Sequence, residues 1–351
     1  MKYSFLIMSL VNIIKKYCQL PLLPPYFKWF SICIVLLLIL LLLLPIKNLY
    51  AWGFWGHKRI NRMAVFTLPQ EMFGFYKGNI DFITEMAVQP DKRRYVVEGE
   101  APRHYIDLER YGSYPFDSLP RRWADAAAKY SEDTLNAYGI VPWHIYTMHY
   151  RLKKAFEAGD KNQILRLSAD LGHYVADAHV PLHTTHNYNG HLTGQEGIHG
   201  FWESRLPELF GEGYNYFTGQ AEYIKDPLQA AWEMVLESHS LVDSVLVLEK
   251  QLHGHYEADQ KYSYEHRGNI VVKNYSMHYS DSYSKMLNGM VERRMTAAIH
   301  SVGSFWLTAW IDAGQPDLNK LTATSTDEAE PETITPIPTR NHPNTADEIF
   351  E

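Results

Sequence analysis

The sequence predicts an all-α fold, a single multi-helix domain, on two observations. Four long segments place apolar residues at helical spacing, and alternating strand patterns are scarce, none flanked by a clear hairpin turn. The first segment, Pro142 to Gly159, opens with a proline near its first turn, where the missing N–H costs nothing. The second starts at Asp160 as a cap, sets Ile164, Leu167, Leu171 and Val175 on one face, and stops at Pro181. The third runs from Leu228 to Leu252. The fourth covers residues 274–313, with a break expected near Gly289 or Gly303. The 24 Tyr, 15 Phe and 9 Trp are read as filling the core of this large helical body rather than lining a ligand groove.

The ends of the 351-residue chain do not belong to that body. Residues 29–44 form an uncharged apolar run preceded by Lys15, Lys16 and Lys28 and followed by a small residue, Ala51, in the order of an export signal. Residues 1–51 are therefore expected to be a signal peptide cut before Trp52, which sends the mature protein to a secreted or periplasmic location. Left uncut, the run is a membrane anchor, since its length lies between a signal core and a short span. From Asp317 to the end the sequence is rich in Thr, Pro and acidic residues, too apolar-poor to order itself, and is expected to be a disordered acidic tail. Residues 52–316 remain as one domain, expected to act as a monomer.

Both cysteines, Cys18 and Cys33, lie in the leader, so the mature chain has no disulfide framework and no cysteine zinc site. Only His, Asp and Glu are left as metal ligands. Loss of the leader's five lysines moves the net charge from −7 to −12. That is a poor starting point for binding long polyanions, although bound cations would restore positive charge locally.

The strongest local pattern joins His173, Asp177 and His183. His173 and Asp177 project from one helix face a turn apart, and Pro181 turns the chain so that His183 can return toward them. Neutral imidazole and carboxylate are the usual zinc ligands where cysteine is absent. His199 and Glu203 form a second pair at helical spacing. A His and an acid four apart are more often an ordinary hydrogen bond, and twelve of the seventeen histidines, His179 and His186 among them, take no part. Near the start, cleavage before Trp52 would free its α-amine, which with its own carbonyl oxygen could chelate a metal, with His57 closing on the same ion. Asp91 and His104 add a carboxylate and an imidazole. Alone, Asp91 reads as a helix-end ion pair with Arg94, and His104 as a core histidine.

In this order the set (exposed Trp, His, Asp, His-Tyr-Ile-Asp, His-x3-Asp-x5-His, His-x3-Glu) resembles the zinc-dependent phospholipase C and single-strand-specific nuclease superfamily. The resemblance covers residues 52–207 at motif level and implies an all-α fold with three zinc ions. It implies that Asp91, His104, His173 and Asp177 hold one ion, and that His183, His199 and Glu203 hold a second. Trp52 and His57 would hold the third, with Asp177 bridging it to the first. Asp91 is similar to the family ligand also proposed as general base, and is the catalytic candidate. Asp107 is expected to orient an imidazole from behind.

The implied activity is hydrolysis of phosphate esters by a zinc-bound hydroxide, since zinc lowers the pKa of bound water from 15.7 toward about 7. The step from Trp52 to His57 is similar to the nuclease branch. Glu203 as the last ligand, and the short interval from His183 to His199, are similar to the phospholipase branch. The favoured reading is a phospholipase C-like phosphodiesterase acting on phospholipid, with single-stranded nucleic acid as the alternative substrate. A third reading, a secreted or membrane-anchored protein with purely structural zinc, is disfavoured because the second ion has only three protein ligands, leaving an open position. Mass-spectrometric reading of the mature terminus should find Trp52 first. Any other start removes the proposed amine–carbonyl chelate.

Overall fold

The computed structural model describes residues 53–267 and 270–321. The chain divides into residues 1–49 and a body from residue 50 onward, and only the body contains described residues. The expected leader, Trp52 and the chain beyond residue 321 lie outside them. Among the described residues no helix is long and apolar enough to cross a membrane.

The body is mostly helical. Helices α1 (Gly53–Ala64), α2 (Gln70–Gly78), α3 (Ile80–Met86) and the short α4 (Gln89–Arg93) come first. Two 3₁₀ turns, Ala101–His104 and Leu108–Tyr111, lead to α5 (Trp123–Tyr130) and α6 (Glu132–Tyr138). Then follow α7 (Val141–Ala158) and α8 (Lys161–Asp177). Beyond the 3₁₀ turn Pro181–Thr184, α9 (Ile198–Gly200) passes through a π-helical turn, Phe201–Arg205, into α10 (Leu206–Phe210). The remainder comprises α11 (Pro227–His239), α12 (Val242–His253), α13 (Ala258–Lys261), strands β1 (Tyr262–Arg267) and β2 (Ile270–Tyr275), α14 (Met277–Met286) and α15 (Met290–Asp312).

Helix α7 begins with Pro142 in its first turn and ends at Gly159, which takes the left-handed conformation at φ 67°. Helix α8 is capped as expected, the Asp160 carboxylate accepting from the Gln163 amide at 3.0 Å. It ends at Asp177 rather than at Pro181, because Pro181 starts a 3₁₀ turn of its own. The single helix expected from Leu228 to Leu252 is two, separated at Ser240 and Leu241, where the Ser240 hydroxyl turns back onto the Glu237 carbonyl. Such side-chain bonds compete with the helix backbone. The last expected helix breaks at Gly289, at φ 73°, and not at Gly303. Gly303 lies inside α15, where a Cβ would overlap the Thr67 hydroxyl. Strands β1 and β2 form an antiparallel pair with Tyr264 opposite Lys273, an addition to the all-α expectation.

Helix α8 is the centre of the body, packed by α7, α15, α3 and α1. Every residue from Ser168 to Asp177 is buried, including Asp170, His173 and Asp177. Many of the aromatic side chains fill the core, Trp202, Trp232, Trp306, Tyr76 and Tyr174 being among the largest fully buried ones, while others such as Phe217 and Tyr264 are exposed. Trp306 donates its indole N–H to the Ser168 carbonyl at 2.9 Å and stacks on Tyr76 at 5.0 Å. Each such side chain contributes about 1.5–3 kcal/mol on burial. The packed body continues past Pro316 through a 3₁₀ turn, Leu318–Lys320, that buries Leu318.

Gly172 governs the crossing of α1 over α8. A Cβ there would overlap the Asn61 amide, which is fixed by its own donation to the Ala169 carbonyl at 3.0 Å. His57 lies one turn before Asn61 and His173 one residue after Gly172. The close approach therefore stacks the two imidazoles at 3.9 Å.

Candidate metal centre

Eight of the nine expected ligand residues fall among the described residues, and all eight lie in one buried region, none more than 9% exposed. Helix α8 contributes His173 and Asp177, α1 contributes His57, and α4 contributes Asp91 from its first turn. His104 ends one 3₁₀ turn and His183 lies in another. The two turns are tied together by the Ile106 amide to the His183 carbonyl at 2.9 Å, and by His183 Nδ1 to the His104 carbonyl at 2.7 Å. His199 and Glu203 straddle the start of the π-helical turn, whose widened ladder runs from the Leu206 amide to the Phe201 carbonyl. Such turns recur at functional sites. Gly53 donates its amide to the Ser204 hydroxyl at 2.7 Å, which sets the start of α1 beside the residue that follows Glu203.

Three groups of these side chains converge closely enough to hold a metal ion each: His57, His173 and Asp177; Asp91, His104 and His173; His183, His199 and Glu203. In the first two groups, His173 Nε2 lies 3.0 Å from His104 Nδ1, 3.2 Å from Asp177 Oδ2 and 3.6 Å from Asp91 Oδ1. His104 Nδ1 is 2.9 Å from Asp177 Oδ2 and 3.8 Å from Asp91 Oδ1. In the third, His183 Nε2 and His199 Nε2 are 3.1 Å apart, and lie 3.2 and 3.0 Å from Glu203 Oε2.

The Asp177 carboxylate joins the groups. Its Oδ2 faces His104 and His173, while Oδ1 faces His57 Nε2 at 3.4 Å and His183 Nδ1 at 3.6 Å. Two outward bonds set the inward nitrogens. His173 Nδ1 donates to the Ala87 carbonyl at 2.9 Å, and His183 Nδ1 to that of His104, so in the neutral rings each Nε2 presents a lone pair. Asp91 Oδ2 is buried and makes no hydrogen bond among the described residues.

Burial disfavours the Asp177 carboxylate, but His173, His183 and His104 outweigh it and hold its pKa well below the usual range. Burial likewise disfavours charge on His183, yet Asp177 and Glu203 push its pKa up to about 9. Glu203 is held low by His199 and His183 against its own burial. His179, unassigned in the sequence, is outside the centre. Its Nδ1 donates to Val175, and burial followed by the charge of Arg294 lowers its pKa to about 3.

Sequence reasoning placed Asp107 behind an imidazole, but the carboxylate that the structure sets beside the His104 ring is Glu100, 3.8 Å from Nε2. Asp107 is buried and raises the phenol pKa values of Tyr105 and Tyr111, behind burial as the larger cause. The spacing of four between Glu100 and His104 was the available signal. Arg205 was also missed. It donates from Nε to the Tyr275 carbonyl at 3.2 Å and forks onto Glu265, tying the π-helical turn to the β-hairpin.

No protein-family model and no curated protein matches this chain. The geometry makes its own prediction. Asp177→Asn should lower the metal content by at least one ion per chain with the helical circular dichroism unchanged, and elemental analysis of the dialysed protein reads this. Undiminished metal content would remove Asp177 from its shared role.

Proposed function

We propose that this chain is a metal-dependent phosphodiesterase that holds three zinc ions and hydrolyses phosphate esters in the manner of a phospholipase C. The observation that carries the reading is the convergence of five imidazoles and three carboxylates, from separate segments, into one buried cluster with no cysteine among them. Burying a charged carboxylate costs several kcal/mol, so such a cluster is a standing liability unless a cation offsets it.

The donor spacing fits zinc. Four-coordinate zinc with bonds of 2.0–2.1 Å separates its ligand atoms by about 3.3 Å. The separations among His104 Nδ1, His173 Nε2 and Asp177 Oδ2 are 2.9–3.2 Å, and those among His183, His199 and Glu203 are 3.0–3.2 Å. Asp91, His104, His173 and Asp177 would hold one ion, and His183, His199 and Glu203 another. His57 with the freed terminus of Trp52 would hold the third, Asp177 being shared. When bound, the ions would supply Lewis acidity, making water a nucleophile near neutral pH and neutralising phosphoryl charge.

The chain's own groups do the rest. Asp177 turns one oxygen to each side and so fixes the spacing between ligand groups. The Ala87 and His104 carbonyls hold the rings of His173 and His183 in one tautomer. Asp91 would take a proton from the attacking water, a role supported by its Oδ2 being buried and making no hydrogen bond among the described residues. The Trp52-to-His57 step favours a single-strand nuclease as the second reading; the acidic mature charge of −12 weighs against it.

A side-by-side assay of the mature protein on phosphatidylcholine and on single-stranded DNA tests the proposal. Release of a phosphorylated headgroup, lost with chelator and restored by zinc, is expected. Cleavage of DNA alone would select the nuclease reading. Zinc-loaded protein that turns over neither would favour a structural role for the metal.

A further inference from the structure

We infer that Glu100 is a positioning residue for the cluster, holding His104 so that its Nδ1 faces the other ligands; this rests on the metal-binding reading above. Glu100 is fully buried and lies four residues before His104. Its Oε2 accepts from Arg103 at 2.7 Å. Its Oε1 accepts from the Tyr174 hydroxyl and faces Arg93 Nη2 at 3.5 Å and His104 Nε2 at 3.8 Å. The last separation is a charge contact, too long for a direct hydrogen bond.

The His104 ring thus spans two environments. Nδ1 meets His173 and Asp177 at 3.0 and 2.9 Å, while Nε2 points at the Glu100 carboxylate. A carboxylate behind an imidazole favours the N–H on the near nitrogen and leaves the far lone pair directed at a cation. The partners of Glu100 extend the same control to its neighbours. Arg93 lies two residues after Asp91 and also pairs with Asp170 on α8 at 3.0 Å. Tyr174 follows His173, and its ring meets the edge of His104 at 5.4 Å.

One carboxylate therefore touches, directly or through a single side chain, the three segments that carry Asp91, His104 and His173. None of its described contacts reaches His183, His199 or Glu203. The effect of removing its charge should be confined to one part of the cluster.

The experiment measures zinc retained per full-length mature chain after dialysis against a graded series of chelator concentrations. Glu100→Gln should release one ion at a chelator strength about 10–100-fold lower than wild type requires, the others being released as in wild type. Tyr174→Phe, which removes only the hydroxyl donated to Glu100, should weaken the same ion to a smaller extent. It decides the matter if Glu100→Gln does not fold, as judged by circular dichroism. Release of every ion equally, or of none earlier than wild type, overturns the role of Glu100 and leaves the metal-binding reading standing. A wild-type chain that binds no zinc overturns both.

Discussion

Three carboxylates, those of Asp91, Asp177 and Glu203, are buried to 4% exposure or less within reach of five imidazoles, and the rest of the body is arranged around that constraint. A carboxylate withdrawn from water is tolerated only with close, well-oriented positive partners, and removing one partner of a buried pair costs about 3–5 kcal/mol. The ring nitrogens therefore sit within 2.9–4.0 Å of the carboxylate oxygens. Close packing elsewhere keeps them there. Gly172 admits α1 against α8, and the hairpin and α14 clasp the π-helical turn through Arg205 and through Phe201, which stacks on Tyr275 at 3.8 Å.

Orientation is enforced from behind by uncharged groups on one side and charged ones on the other. Backbone carbonyls of Ala87 and His104 receive the outer N–H of His173 and His183. Glu100, with Arg93, Arg103 and Tyr174, forms a buried polar layer against His104, and His104 first, then Arg93 and Tyr174, keep its carboxylate pKa below the usual range despite burial. The two arrangements differ in consequence. A carbonyl fixes a tautomer locally, whereas the Glu100 layer links α4, the 3₁₀ turn and α8 to one another.

The parts legible in the sequence were those with a short period or a strong local preference. His173 with Asp177 followed from the helical repeat, α7 from Pro142 and Gly159, and α8 from Asp160. His57, Asp91 and His104 had no periodic signal and came into view only as members of an ordered set resembling a known family. The break at Ser240 was invisible because neither glycine nor proline marks it. The hairpin was missed although Gly268-Asn269, a turn dipeptide, separates two segments rich in Tyr, Val and Ile. Glu100 carried only its spacing of four to His104, and that alone does not separate a buried acid from a solvated one until the chain is folded around it.

Anomalous X-ray scattering at the zinc edge, from crystals of the mature protein grown with zinc, tests the central claim most directly. The account predicts strong peaks among Asp91, His104, His173 and Asp177 and among His183, His199 and Glu203, with a third beside His57, each about 2.0–2.2 Å from its ligand atoms. Peaks confined to surface histidines, or none within the cluster, would contradict it.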